Sequence, residues 1–212
     1  MNPLIEHIRD HYWKNFCEAI GADKENSLDT FRKLDEHYSD PSRHYHTWGH
    51  ISDCLNRLDE IRPYTIFPVL TEGAIFFHDV IYDSKRKDCE IASGEFAGAC
   101  LTNMGVESSY LLKSIPLFIE ASTHRYKAKP LTEMNLFLDI DLASLGYSLK
   151  TFQHNTQQIR KEYSWVPTDR FTYERKIVLD SFLNRPSIYY TDFFRNKYES
   201  QARSNLSQPI LL

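Results

Sequence analysis

Histidine is concentrated in one short stretch of this 212-residue chain. The sequence RHYHTWGH at 43–50 contains His44, His46 and His50. His46 and His50 are four residues apart, a spacing that brings two side chains to one face of a helix, about one turn apart. Two imidazoles placed in this way can bind one metal ion. Polar side chains at the start of a helix would produce the same pattern.

A second chemically suggestive pair follows an apolar run. His78 and Asp79 end the sequence AIFFHD at 74–79, in a segment that is apolar nearly all round. A charged carboxylate beside an imidazole is costly at the end of a buried helix unless it is paired or coordinates a cation. The doublet is therefore either a hydrogen-bonded helix end or a pair of adjacent metal ligands.

Further carboxylates lie among apolar residues in FLDIDLASLG at 137–146. Asp139 and Asp141 need partners in such a setting, because acids are almost never fully buried alone. Together, His46, His78, Asp79 and Asp141 supply two imidazoles and two carboxylates. This donor set suits a borderline divalent ion such as Mn, Fe, Co, Ni or Zn, with positions left for water.

The elements that must position these residues are expected to be helices. Apolar residues recur with helical periodicity, and glycine is rare, with 7 residues. Ser148 and Asp169 are predicted N-caps, and Pro116 is expected to kink or divide its helix. The pattern predicts one compact all-α domain spanning 1–212. The predicted helices cover 3–20, 27–38, 47–61, 68–79, 88–104, 108–124, 132–146, 149–163, 170–184 and 189–206.

Composition limits the classes of function. A net charge of −4 argues against a nucleic-acid partner or an anionic membrane surface. The N-terminal residues lack a signal-peptide core, and no apolar run is long enough to cross a bilayer, so a cytoplasmic location is expected. The 4 cysteines form no CxxC pair and are interpreted as buried reduced thiols. Oligomeric state is left open.

The motifs in this order resemble those of the HD superfamily of metal-dependent phosphohydrolases. Members have a histidine early in one helix, a His-Asp doublet ending another, and an aspartate on a later helix of an all-α domain. YHTWGHI, FFHDVIYD and DIDLASLG are similar to these three elements. The chain also resembles, over nearly its whole length, a small bacterial subgroup of predicted HD phosphohydrolases, including the segments CEIAS and ESQARSNL.

The resemblance implies a metal site and its ligands. The implied ligands are His46, His78, Asp79 and Asp141. Two alternatives stay open, since His50 could replace or join His46, and Asp139 could replace Asp141. One or two divalent transition-metal ions are implied as cofactors.

The same resemblance implies hydrolysis of phosphate esters by a metal-activated water, with a nucleotide or another small phosphorylated metabolite as substrate. The implied catalytic residues are Asp79, Glu90 and His124. Cations near the motifs are expected to bind the phosphate: Arg43, Lys85, Arg86 and Arg125. Two rival hypotheses are an HD-fold di-iron oxygenase and a non-catalytic module that binds metal or nucleotide.

Overall fold

The computed structural model describes residues 2–124 and 132–210. Within these ranges the regular secondary structure is helical throughout, which confirms the predicted all-α class. The contacts divide the chain into two compact units, Met1–Phe137 and Leu138–Leu212. The assignment of the whole chain to one HD-type domain stays a prediction. No helix in the described ranges has the length and apolar character needed to cross a membrane.

The described residues of the first unit form seven α-helices, a π-helix, a 3₁₀ turn and the start of an eighth α-helix. In chain order they are α1 (Pro3–His7), the π-helix (Ile8–Trp13), α2 (Lys14–Ala19), α3 (Lys24–Tyr38), α4 (Trp48–Ile61), the 3₁₀ turn (Arg62–Tyr64), α5 (Pro68–Phe77), α6 (Cys89–Asn103), α7 (Ser109–Ala121) and α8 (Thr132–Leu142).

The second unit begins within α8. It continues through a 3₁₀ turn (Ala143–Gly146), α9 (Leu149–Glu162), α10 (Thr168–Leu183) and α11 (Asp192–Leu206). Ser148 caps α9 as predicted, because its hydroxyl accepts a hydrogen bond from the Thr151 amide at 3.2 Å. The cap predicted at Asp169 is wrong: α10 begins at Thr168, so Asp169 lies in its first turn.

Helix α5 is the buried helix that its apolar sequence predicts. Its end is held on two sides: the Trp13 ring meets Phe76 edge-on at 5.0 Å, and the Tyr38 hydroxyl donates to the Phe76 carbonyl at 3.0 Å. These contacts fix the position of the end of α5 and therefore of His78 and Asp79, which follow it. The fully buried apolar side chains near the end of the helix are Ala74, Ile75, Phe76 and Phe77.

Pro116 was expected to kink or divide its helix, and it does not divide it. It lies inside α7, which continues to Ala121. Two glycines four residues apart on α6 face it: a Cβ at Gly94 would lie 3.3 Å from the Pro116 carbonyl oxygen, and one at Gly98 would lie 3.7 Å from its ring. Proline cannot donate a backbone hydrogen bond, and the close packing of α6 against α7 offsets the loss of that bond.

Gly146 is required by close packing at the end of the DLASLG segment. A Cβ at this position would lie 2.6 Å from the Cβ of Tyr198 and 2.8 Å from its backbone oxygen. We expect Gly146→Ala to lower the free energy of unfolding by about 1–3 kcal/mol, since the main chain must shift to relieve the overlap. Urea denaturation would measure the effect. Gly98→Ala is the matched control, because its Cβ would meet ordinary contacts; equal effects in both variants would contradict the clash.

Candidate metal centre

His50 lies on α4, whereas His46 lies before it. The helix begins at Trp48, with Thr47 as an extended N-cap (φ −123°, ψ 179°) whose hydroxyl accepts from the Gly49 amide at 3.2 Å. The expectation that His46 and His50 share a helical face is therefore wrong, because the helix starts after His46. His50 is buried, with 8% of its surface exposed.

Three side chains of the first unit converge and could hold a metal ion: His50, His78 and Asp79. The two Nε2 atoms of His50 and His78 are 3.1 Å apart. Asp79 Oδ2 lies 3.1 Å from His78 Nε2 and 3.6 Å from His50 Nε2. Ligands about 2.0–2.2 Å from a zinc-like ion, at angles of about 90–110°, lie about 2.8–3.6 Å from one another. The three atoms therefore have the spacing of ligands around one ion.

The tautomer of His78 favours metal binding through Nε2. Its ring is almost fully buried, with 2% exposed, and Nδ1 lies 3.0 Å from the Ile75 carbonyl oxygen. A carbonyl can only accept, so Nδ1 must carry the proton. This leaves Nε2, which faces His50 and Asp79, as the atom that would bind a metal ion. A hydrogen bond of this kind is the usual partner of a metal-binding histidine.

The charge of Asp79 is stabilised by the imidazoles around it. Burial alone would raise the pKa of its carboxyl group, but His78, His46 and His50 outweigh that effect and hold the pKa well below its ordinary value. The carboxylate is consequently ionised at neutral pH. An anionic oxygen beside two imidazole nitrogens is a donor set that suits a divalent transition-metal ion.

The turn that carries Asp79 is fixed by main-chain contacts on both sides. Arg43, with 8% exposed, donates to the carbonyl oxygens of His46, Asp79 and Val80. Ser93 of α6 accepts from the Ile81 amide at 3.0 Å. Arg43 is buried and donates to backbone carbonyls. Substrate binding by Arg43 stays a prediction.

Cys54 lies next to His50, a contact that the sequence analysis did not predict. Its Sγ lies 3.8 Å from each ring nitrogen of His50, one helical turn earlier on α4. The cysteine is buried and reduced, in agreement with the interpretation of a buried reduced thiol. The spacing of four residues between His50 and Cys54 is the signal that could have identified this contact.

His46, the first ligand implied by the family resemblance, lies beside the three converging side chains. Its half-buried ring stacks on Tyr82 with centroids 4.0 Å apart and lies 6.2 Å from the His50 ring. The structure therefore places His50 in the group of three and His46 at its edge. A ligand role for His46 stays a prediction.

Asp139 and Asp141 belong to the second unit. Asp139 is fully buried, and its two oxygens accept three bonds of 2.7 Å, from the Tyr190 amide, the Thr191 amide and the Thr191 hydroxyl. These bonds hold the residues that precede α11. Asp141 is half-buried on the same helix. Its role as a ligand stays a prediction from the resemblance, as does the alternative at Asp139.

The ionisation of Asp139 predicts a pH dependence of stability. Burial raises its pKa from 3.8 to about 6, although the Thr191 and Tyr190 bonds act in the opposite direction. Because the unfolded chain ionises first, the stabilising contribution of Asp139 is full below pH 3.8 and declines as the pH rises to about 6. A difference of about 2 pH units corresponds to about 3 kcal/mol.

The measurement is the difference in unfolding free energy between the wild type and Asp139→Asn at pH 4 and pH 7. We expect this difference to shift by up to about 3 kcal/mol in favour of the variant at pH 7. A difference that does not vary with pH would contradict the assignment.

Besides Asp79, two more predicted catalytic residues lie in the first unit. Glu90 is half-buried in the first turn of α6. His124 follows α7 and has a left-handed backbone, with φ of 52°, a conformation that histidine adopts more readily than most residues. Catalytic roles for Glu90 and His124 stay predictions.

The structure describes three of the four cations that were predicted to bind phosphate: Arg43, Lys85 and Arg86. Lys85 and Arg86 are exposed on the segment between α5 and α6, and Arg86 forms two hydrogen bonds of 2.9 Å with Asp88. An exposed pair of this kind contributes little to stability, so it leaves the guanidinium available for exchange with another anion. Arg125 lies outside the described residues. Substrate binding by these cations stays a prediction.

Comparisons of the chain with protein-family models, with curated proteins and with solved structures find no match. The likeness to the HD superfamily therefore rests on the sequence motifs, and the His50, His78 and Asp79 geometry is independent of it.

Proposed function

We propose that the protein is a metal-dependent hydrolase of phosphate esters whose metal centre includes His50, His78 and Asp79. The observation that carries the proposal is the convergence of two imidazole nitrogens and one carboxylate oxygen within 3.1–3.6 Å of one another. Three protein ligands leave coordination positions for water and substrate, as in catalytic rather than structural zinc sites. Two imidazoles favour Mn, Fe, Co, Ni or Zn over Mg or Ca.

In the proposed reaction the protein residues have distinct tasks. His50 and His78 would hold the ion through Nε2, with the Ile75 carbonyl keeping the His78 ring in the required tautomer. Asp79 would hold it through Oδ2, and its second oxygen could accept a hydrogen bond from the nucleophilic water; Glu90 is the alternative acceptor. A bound divalent ion supplies Lewis acidity, which polarises a phosphoryl oxygen and lowers the pKa of water from 15.7 to about 7.

The substrate class follows from the family resemblance and not from the geometry, because one fold supports many reactions. A nucleotide or another small phosphorylated metabolite is the proposed substrate. Arg86 is a proposed contact for its phosphate, in competition with Asp88.

Elemental analysis of the purified protein tests the proposal. We expect one or two equivalents of Mn, Fe, Co, Ni or Zn in the wild type and a loss of metal in His78→Ala. His154→Ala is the matched control, because His154 is an exposed histidine on α9 that contacts Gln158. The retained ion would then be used to screen p-nitrophenyl phosphate and nucleoside monophosphates for hydrolysis.

The possible outcomes separate the rival functions. No binding after reconstitution with each ion would overturn the metal centre and the hydrolase together. Two equivalents of iron with oxygen uptake would favour the di-iron oxygenase. Stable metal binding without hydrolysis of any phosphate ester in the screen would favour a non-catalytic module.

A further inference from the structure

We infer that Arg43 is a positioning residue of the metal centre, and this inference rests on the proposed function. Arg43 precedes α4 and is separated by 36 residues from Asp79. Its guanidinium nevertheless contacts both chain segments that surround the converging side chains. It would act through the main chain of these segments and not through contact with the ion or the substrate.

The contacts form one bridge between two turns. Arg43 Nη1 donates to the Asp79 carbonyl at 2.7 Å and to the His46 carbonyl at 3.3 Å, and Nη2 donates to the Val80 carbonyl at 2.7 Å. The planar fork of a guanidinium presents several donors in fixed directions. The distance between the His46 turn and the Asp79 turn is therefore set by the width of one rigid group.

Aromatic faces complete the surroundings of this buried cation. The Arg43 guanidinium carbon lies 5.4 Å from the centroid of the Tyr38 ring and 5.7 Å from that of the Tyr82 ring. Both distances are within the range of cation–π attraction. Tyr82 in turn stacks on the His46 ring. Arg43 thus fixes His46 twice, through its carbonyl oxygen and through Tyr82.

The consequence for the metal centre concerns Asp79. Its side chain is short, so the position of Oδ2 follows the position of the main chain at residues 79 and 80. Arg43 bonds to the carbonyls of both residues. A lysine at position 43 keeps the charge but replaces the planar fork by a compact ammonium group on a flexible stem, and cannot hold both turns at the same spacing.

Titration with Co²⁺ alone tests the inference, with the full chain as wild type, Arg43→Lys and Arg160→Lys. Arg160 is the matched control: it bridges the Tyr163 and Val166 carbonyls and lies over the Phe171 ring, in the second unit. We expect Arg43→Lys to weaken Co²⁺ binding by about 10- to 100-fold, the range typical of residues that support metal ligands, and to change the visible spectrum of the bound ion. Arg160→Lys should alter neither property, and thermal unfolding would confirm that each variant is folded.

The outcomes test the proposed function and the positioning role of Arg43 separately. A wild type that does not bind Co²⁺ overturns the proposed function and, with it, the role of Arg43. A wild type that binds, with unchanged affinity and spectrum in Arg43→Lys, overturns the positioning role alone. If Arg43→Lys does not fold, Tyr82→Leu tests the same link by removing one ring; a several-fold loss of affinity supports the inference, and an unchanged affinity overturns it.

Discussion

Asp79→Asn is expected to lose metal binding and metal-dependent hydrolysis while keeping its fold. Asparagine has nearly the shape of aspartate but removes the anionic oxygen that lies 3.1 Å from His78 Nε2. Residues that only support metal ligands are worth about 10- to 100-fold in affinity or activity, so loss of a ligand should exceed about 100-fold. Competitive metal titration and the initial rate of p-nitrophenyl phosphate hydrolysis would measure the two losses.

Asp180→Asn is the control for the loss of one carboxylate charge, because Asp180 forms an ion pair with Lys176 on α10. It should retain wild-type affinity. If Asp79→Asn also binds the ion as tightly as the wild type, Asp79 is a hydrogen-bond partner of His78 and the ion is held by other groups.

Asp139→Ala is expected to lower the free energy of unfolding by more than about 3 kcal/mol. The substitution leaves the amides of Tyr190 and Thr191 and the Thr191 hydroxyl without their acceptor. Each unsatisfied buried donor costs about 1–3 kcal/mol. Chemical denaturation would measure the loss, and metal content would be measured on the same samples.

Asp141→Asn is the companion variant that separates the two aspartates. If the family resemblance assigns the ligand correctly, Asp141→Asn reduces metal affinity and leaves stability nearly unchanged, while Asp139→Ala does the reverse. Loss of metal from a folded Asp139 variant, with Asp141→Asn unaffected, would select the other alternative.

The helices could be predicted from sequence because their signals are local. The apolar run before His78 indicates a buried helix that ends near the doublet, and α5 ends at Phe77. Ser148 is likewise recognisable as a cap from the residue type and the periodic segment after it. The cap at Asp169 was misplaced by two residues, since Pro167 is also compatible with a helix start and the two signals overlap.

The choice between His46 and His50 depended on one local detail. Both residues satisfy a spacing of four, but that spacing has meaning only inside a helix. Thr47 is a favourable N-cap residue, and its position between the two histidines was the available signal that His46 lies outside. The helix predicted over 47–61 already excludes His46, so the spacing of four residues could not place the two histidines on one helical face.

The roles of Arg43 and Asp139 could not be predicted from neighbouring residues. Most of their partners lie 36 to 52 residues away in the chain and are main-chain atoms, which the residue types in a sequence do not distinguish. Arg43 is buried and bonded to main-chain oxygens, and its position beside a motif in the sequence does not reveal these contacts. The donors to Asp139 likewise cannot be identified from the sequence, and its role as a ligand stays a prediction.

The contacts of Arg43 have an implication for how this site can change during evolution. The oxygens that it binds at positions 46, 79 and 80 are present whatever side chain those residues carry. If the proposed metal centre is correct, substitutions at position 79 can change the ion that it prefers while these backbone contacts remain. A deep mutational scan should find position 79 permissive for folding yield but restricted for activity, and lysine at position 43 should keep the folding yield and lower the activity.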